Sequence, residues 1–116
     1  MTAQSAGLLK LVDRDWSRFF INHDPAGTWR KVTCPVLVLN GDKDLQVLAD
    51  LNLPAIEAAL KQGGNTQFVV KKLTNLNHLF QETQGPGLAT EYGQLEQTIS
   101  PEALNSMQEW LEKIVQ

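Results

Sequence analysis

Side chains suited to acid–base chemistry follow two apolar, strand-like runs of this chain. The first run, residues 36–39, is followed by Asp42 and Asp44, and the second, residues 67–73, is followed by His78. A carboxylate that accepts a hydrogen bond from one ring nitrogen of a histidine fixes the tautomer and leaves the other nitrogen free to act as a base. We therefore expect His78 and a carboxylate of the first loop to form an acid–histidine pair.

The two runs predict neighbouring strands of one parallel sheet. Residues 34–41 are a continuous, β-branched stretch with Pro35 near its start and Gly41 at its end, which is typical of a strand buried on both faces. Residues 67–73 predict the next strand, and its lysines suggest a sheet edge. Because neighbouring parallel strands end at the same edge, about 4.8 Å apart, the loops that leave them can meet.

The segment between the two runs predicts a helix. Asn52 is the expected N-cap, Pro54 is tolerated in the first turn, and Gly63 with Gly64 ends the helix. A strand, a helix and a strand within about forty residues form a βαβ unit, which predicts parallel strands joined by a right-handed crossover. The expected fold class is therefore α/β, with a small parallel sheet flanked by helices.

Residues 2–22 predict a helix in two pieces. Asp13 is a plausible N-cap for the second piece, which would bury Trp16, Phe19 and Phe20. We also expect the other tryptophans, at positions 29 and 110, to pack in the core.

The last third of the chain predicts a loop and then a helix. Residues 75–98 are polar and glycine-rich, which indicates a long loop with a short helical turn near residues 92–96. Ser100 is the expected N-cap of the final helix, with Pro101 at its first helical position. The apolar residues of this helix recur at intervals of three and four and form one stripe: Leu104, Met107, Leu111 and Ile114.

Composition narrows the class of protein. The 116 residues are 42% hydrophobic and 20% charged, the balance of a single globular domain spanning residues 1–116. The net charge is −3 and basic residues are scattered, which argues against nucleic-acid binding.

No apolar run approaches membrane-spanning length, the N-terminus lacks the pattern of a secretory signal, and Cys34 has no partner for an internal disulfide. The cytoplasm is the expected compartment, and two histidines in unrelated surroundings predict neither a metal site nor a cofactor.

One resemblance covers most of the chain. The segment Cys-Pro-Val-Leu-Val-Leu-Asn-Gly-Asp-Lys-Asp-Leu-Gln-Val, followed later by Leu-Asn-His-Leu-Phe, is similar to the final third of bacterial α/β-hydrolases of the serine peptidase or acyl-thioesterase-like branch. The resemblance implies that residues 1–25 are the tail of a helical lid and residues 33–116 the C-terminal βαβα part of the hydrolase core. By position, Asp44 matches the triad acid and His78 the triad histidine, and Asp42 fits the spacing of the acid less well.

The nucleophile of such a triad has no match in this sequence. The family places a serine on a sharp Gly-x-Ser-x-Gly turn, and none of Ser5, Ser17, Ser100 and Ser106 has that context. Cys34 could be nominated instead, but it precedes the first strand and would lie at the opposite end of the sheet from His78. We therefore expect Cys34 to be a small core residue.

Two functional hypotheses follow from the resemblance. In the first, the chain is a hydrolase-like protein that lacks the nucleophile and the oxyanion hole, is inactive alone and self-associates. In the second, it is half of a split hydrolase that acts on esters, thioesters or peptides once a partner supplies Gly-x-Ser-x-Gly. In both cases an apolar sheet edge would be left uncovered, so we expect a homodimer or a partner chain to cover it. A third possibility is that the sequence was cut from a longer enzyme.

Overall fold

The computed structural model describes residues 2–116 and shows a mixed α/β fold. Within these residues, the elements in chain order are α1 (Ala3–Val12), α2 (Asp15–Asn22), α3 (Pro25–Trp29), β1 (Val36–Gly41), α4 (Ala49–Gln62), β2 (Phe68–Leu73), a 3₁₀ helix (Ala89–Gln94) and α5 (Pro101–Ile114). The two strands and the helix between them are the predicted βαβ unit, with strand bounds shorter by one or two residues at the start.

The sheet has two parallel strands, as the sequence predicts. The register runs from Val36 opposite Phe68 to Gly41 opposite Leu73. Helix α4 packs against both strands and buries Leu53, Ala59 and Leu60 among other residues. Since both strands end at the same level, the loops that follow Gly41 and Leu73 leave the sheet side by side.

The core lies at the carboxyl ends of the strands, under the loops of interest. Its fully buried members are Leu73, Leu76 and Ala103, and four partly buried side chains pack against them: Leu39, Phe80, Ile99 and Met107. Ala103 belongs to α5, so the last helix anchors the long loop against the sheet. The Ser100 hydroxyl accepts a hydrogen bond from the Glu102 N–H (3.2 Å), as predicted for the N-cap.

The prediction for the second helix was wrong in two respects. Asp13 is the C-cap of α1 rather than the N-cap of α2, because its backbone N–H donates to the Leu9 carbonyl. Trp16, Phe19 and Phe20 are 71%, 67% and 67% exposed instead of buried. In the described part of the chain, α1 and α2 pack mainly on each other, so nothing lies across this apolar face.

Other local predictions are also corrected by the structure. Helix α4 begins at Ala49, with Leu48 as its N-cap, and the Asn52 side chain instead donates to the Leu48 carbonyl (2.9 Å). The reason is a tight turn at residues 44–47, which ends where α4 starts. The predicted end was correct, since Gly63 is the C-cap and Gly64 has φ +82°.

The remaining differences concern the loop, the last helix and the tryptophans. The helical turn in the loop lies at Ala89–Gln94, a few residues earlier than predicted. Helix α5 buries Ala103 and Ser106, and most of its predicted apolar stripe is exposed: Leu104, Leu111 and Ile114. Trp29 and Trp110 are half-buried rather than central to the core.

None of the helices in residues 2–116 has both the length and the apolar character needed to cross a membrane.

Candidate functional site

Asp44 lies in a tight turn directly after β1. Its Oδ1 accepts hydrogen bonds from the backbone N–H groups of Gln46 (2.9 Å) and Val47 (2.8 Å). Its Oδ2 accepts from the side-chain amide of Asn40 (3.3 Å), which also donates to the Val47 carbonyl (3.0 Å). The carboxylate is therefore held by donors on both oxygens, and only 7% of the side chain is exposed.

These donors favour the ionised form of Asp44. Burial by itself raises the pKa of this carboxyl, because desolvation disfavours the charge. The hydrogen bonds from Val47, His78 and Gln46 oppose burial and together hold the pKa of Asp44 below its ordinary value of 3.8. Asp44 is consequently a carboxylate at neutral pH, as a group that orients a histidine must be.

His78 contacts this carboxylate through Nδ1. The Nδ1 atom lies 3.0 Å from Asp44 Oδ2 and 3.1 Å from Oδ1. An ionised carboxylate only accepts hydrogen bonds, so Nδ1 carries the proton and donates it. The imidazole is one-third exposed, and among residues 2–116 no hydrogen bond involves its Nε2 atom. Nε2 is therefore the ring nitrogen that Asp44 leaves free.

The turn that carries His78 is closed by its neighbour Asn77, which is fully buried. The Asn77 Oδ1 atom accepts from the N–H groups of Leu79 and Gln81, both at 3.0 Å. The Asn77 carbonyl accepts from the Phe80 N–H (3.0 Å), and Phe80 adopts φ +58°, which is uncommon for a residue with a side chain. This closure sets the direction in which His78 leaves the backbone.

A glycine allows the acid loop and the histidine turn to lie this close. A Cβ atom on Gly41 would stand 2.0 Å from the Leu76 carbonyl oxygen, closer than any real contact. The two segments are also joined by hydrogen bonds from the Asp42 N–H to the Leu73 carbonyl (2.9 Å) and from the Lys43 N–H to the Leu76 carbonyl (3.1 Å). Gly41 thus permits the approach that brings Asp44 to His78.

The second candidate acid, Asp42, has a different role. Its Oδ1 atom accepts from the Asn75 N–H (2.7 Å), and the residue is exposed. Asn75 adopts φ +63°, so this bond stabilises the start of the loop that leads to His78. His78 contacts Asp44 and makes no hydrogen bond to Asp42 in the described chain.

A polar wall formed by residues 81–97 was not predicted, since the sequence indicated only a loop with a short helical turn near residues 92–96. The buried Gln81 donates from Nε2 to the carbonyls of Tyr92 (3.2 Å) and Gln97 (2.9 Å). The Tyr92 hydroxyl accepts from Gln46 Nε2 (2.9 Å) and so links the wall to the acid loop. The sequence signal that could have pointed to it is the repeated amide and hydroxyl content of residues 81–97.

An acid in this wall is also held ionised. The Glu91 carboxylate accepts from the Thr83 hydroxyl (2.7 Å), and this bond is the main reason why the pKa of Glu91 lies below its ordinary value. The Lys43 ammonium donates to the Thr83 carbonyl (2.8 Å) from the acid loop. Both the hydroxyl and the backbone carbonyl of Thr83 are therefore hydrogen-bonded, the first within the wall and the second to the acid loop.

Within residues 2–116, none of the candidate nucleophiles makes a hydrogen bond to the His78 ring. Ser5 and Ser100 are engaged at helix starts, Ser17 lies in α2 and Ser106 is buried in α5. Cys34 precedes the amino end of β1. The prediction that it is a core residue was wrong, since Cys34 is exposed and Asn65 holds only its backbone carbonyl. Residues 2–116 contain no group of three or more His, Cys, Asp or Glu side chains suited to a metal ion.

The cavity nearest to Asp44 is small and is not lined by His78. A cavity of about 170 Å³ lies against the acid loop and is lined by Asp42, Asp44, Leu48 and Lys72 among others. Pockets for small-molecule ligands usually have roughly 300–1,000 Å³. A larger cavity of about 400 Å³ lies at the opposite end of the sheet, between Phe68 and Trp110. The cavity against the acid loop is thus below that range.

Comparison with known proteins adds no assignment. No family model, curated protein or solved structure matches this chain.

Proposed function

We propose that this chain carries the acid–histidine half of a hydrolase active site on a partial α/β-hydrolase fold, and that it is inactive by itself. The observation that carries the proposal is the contact between His78 Nδ1 and Asp44, at the ends of adjacent parallel strands. The sequence resemblance around these residues supports the same assignment.

The proposed chemistry follows from the protonation states. Asp44 holds the proton on Nδ1, so Nε2 is available to take a proton from a serine hydroxyl and later to return it to the leaving group. The imidazolium formed in between is stabilised by the carboxylate. Without a nucleophile and an oxyanion hole, a dyad of this kind provides little rate enhancement, because these groups act as a unit.

A second candidate function is half of a split hydrolase that acts on an ester, thioester or peptide. It is favoured by the accessibility of the imidazole, since one-third of the His78 side chain is exposed and Nε2 makes no hydrogen bond within the described residues. A segment that brings Gly-x-Ser-x-Gly to this edge of the sheet would complete the triad.

The surface of the chain supports association with a second polypeptide. Its accessible area is 8332 Å², whereas a compact monomer of 12.9 kDa exposes about 6,300 Å². The radius of gyration, 17.6 Å, likewise exceeds the roughly 13 Å of a compact domain of this length. If both protomers buried this excess of about 2,000 Å², the interface would total about 4,000 Å², within the roughly 2,000–5,000 Å² of obligate dimers. We propose a homodimer, with a complementary hydrolase segment as the alternative occupant.

Hydrolysis of p-nitrophenyl esters tests the proposed function. The purified chain is expected to show no turnover above that of its His78→Ala variant. Co-expression with a segment that carries Gly-x-Ser-x-Gly is expected to restore turnover that both His78→Ala and Asp44→Asn abolish. Turnover by the chain alone that disappears in His78→Ala would contradict its inactivity, and restored turnover that survives His78→Ala would contradict the role of the histidine.

A further inference from the structure

We propose that Asn77 is a positioning residue for His78, and that its buried side chain holds the turn in which Nδ1 meets the Asp44 carboxylate. The inference deepens the proposed function, on which its catalytic meaning rests. It concerns a residue that touches neither the carboxylate nor the reacting nitrogen of His78.

Both polar atoms of the Asn77 side chain are hydrogen-bonded within the turn. Oδ1 accepts from the N–H groups of Leu79 and Gln81, and Nδ2 donates to Gln81 Oε1 (3.0 Å). The backbone N–H of Asn77 donates to the Gln81 carbonyl (3.0 Å). Because Asn77 is fully buried, water cannot replace a lost partner, so removal of the amide leaves buried donors unsatisfied.

The closure also maintains an unfavourable backbone conformation next to the histidine. Phe80 has φ +58°, which a non-glycine residue adopts only when surrounding bonds enforce it. Those bonds are the Phe80 N–H to the Asn77 carbonyl, the Gln81 N–H to Asn77 Oδ1 and the Ser100 N–H to the Phe80 carbonyl (2.7 Å). Without Oδ1 the turn formed by residues 77–80 can relax. His78 is the second residue of this turn and moves with it.

The chain contains a matched control in Asn65, a second buried asparagine that closes a turn. Its Nδ2 donates to the carbonyls of Val32 and Cys34 (both 3.0 Å), and its Oδ1 accepts from the Gln67 N–H (2.8 Å). Asn65 lies before β2, at the end of the sheet opposite His78. Its removal should destabilise the fold without altering the imidazole.

The test is solution NMR of the imidazole Nδ1–H proton of His78, compared between the parent and the variants. In Asn77→Ala we expect exchange of this proton with water to accelerate about tenfold, the factor that corresponds to one hydrogen bond. In Asn65→Ala we expect a change of less than about twofold, because local opening at one end of a domain need not expose the other. An unchanged rate in Asn77→Ala, or equal acceleration in both variants, overturns the proposal.

Milder variants cover the case in which an alanine variant does not fold. A serine hydroxyl closes the same kind of turn more weakly, so Asn77→Ser is expected to accelerate exchange by a few-fold while Asn65→Ser leaves it unchanged. The absence of acceleration in Asn77→Ser overturns the proposal. The positioning role and the proposed hydrolase function can fail separately. If exchange accelerates in the Asn77 variants but complementation restores no turnover, the positioning role stands and the hydrolase function is contradicted. If complementation restores turnover but exchange is unchanged in the Asn77 variants, the hydrolase function stands and the positioning role is contradicted.

Discussion

At the scale of single residues, the proposed site depends on which polar atoms surround Asp44. Burial raises the pKa of Asp44, but hydrogen bonds from the Val47 N–H, His78 and the Gln46 N–H lower it and keep the carboxylate ionised. The Asn40 amide is a further donor to Oδ2. Asp42, two residues earlier and chemically identical, is exposed and bonded to Asn75 instead. The two acids therefore differ in function because of their surroundings.

The lowered pKa of Asp44 predicts a pH-dependent stability. A carboxyl whose pKa is lower in the folded state stabilises the protein above its unfolded pKa of about 3.8, and this contribution is lost as pH falls through the folded pKa. We expect Asp44→Asn to lower the free energy of unfolding by roughly 1–3 kcal/mol at pH 7. The difference between variant and parent should shrink as pH falls below about 3.8.

Urea unfolding followed by circular dichroism between pH 2.5 and 7 measures this difference. The control is Asp42→Asn, which loses one exposed carboxylate and should cost less than about 1 kcal/mol. A destabilisation by Asp44→Asn that stays constant down to the lowest pH would show that the pKa of Asp44 is not lowered by folding.

At the scale of elements, the site is produced by the close approach of two strand ends. Gly41 ends β1 at the point where the Leu76 carbonyl passes, and the parallel register places the acid loop beside the histidine turn. The glycine is therefore required by contact between segments and not by its own backbone angles.

Gly41→Ala is expected to separate the two loops. The added methyl group would overlap the Leu76 carbonyl, so one segment must shift, at a cost of about 2–4 kcal/mol. Gly7→Ala is the control, because a Cβ there meets nothing and alanine favours helix α1 by roughly 0.5–1 kcal/mol. The urea midpoint reports both effects, and a variant at position 41 as stable as the parent would disprove the steric role.

At the scale of the whole molecule, the exposed apolar surface is the dominant feature. Helices α1 and α2 present a row of large side chains to solvent, with Trp16 stacked on Phe20 at 5.2 Å between ring centroids. Isolated apolar side chains are common on protein surfaces, whereas large apolar patches are typical of interaction sites, which is consistent with the proposed association.

Light scattering coupled to gel filtration tests the association. We expect the parent to elute as a dimer and Phe20→Glu to shift the mass toward the monomer, because a charge on the apolar face opposes its burial. Gln4→Glu adds the same charge at a polar position of α1 and should leave the mass unchanged. A parent that remains monomeric at all practical concentrations would contradict association.

Local sequence signals predicted the elements that depend on local chemistry. The β-branched run at β1, the glycines that end α4 and the Ser-Pro start of α5 each act within a few residues of chain, so their placement needed no tertiary information. The starts of α2 and α4 were wrong because Asp13 and Asn52 find other hydrogen-bond partners in the folded chain.

By itself, the sequence determined the βαβ unit and the candidates for an acid–histidine pair, since these follow from periodicity and from the order of residues after each strand. The sequence resemblance already matched Asp44 better than Asp42 to the acid, and the tertiary structure shows the Asp44–His78 contact itself, the closure of the histidine turn by Asn77 and the polar wall of residues 81–97. The physical reason is that the Asp44–His78 contact joins segments 34 residues apart, which meet only once the strands are paired, whereas the Asn77 turn is local but carries no distinctive sequence signal.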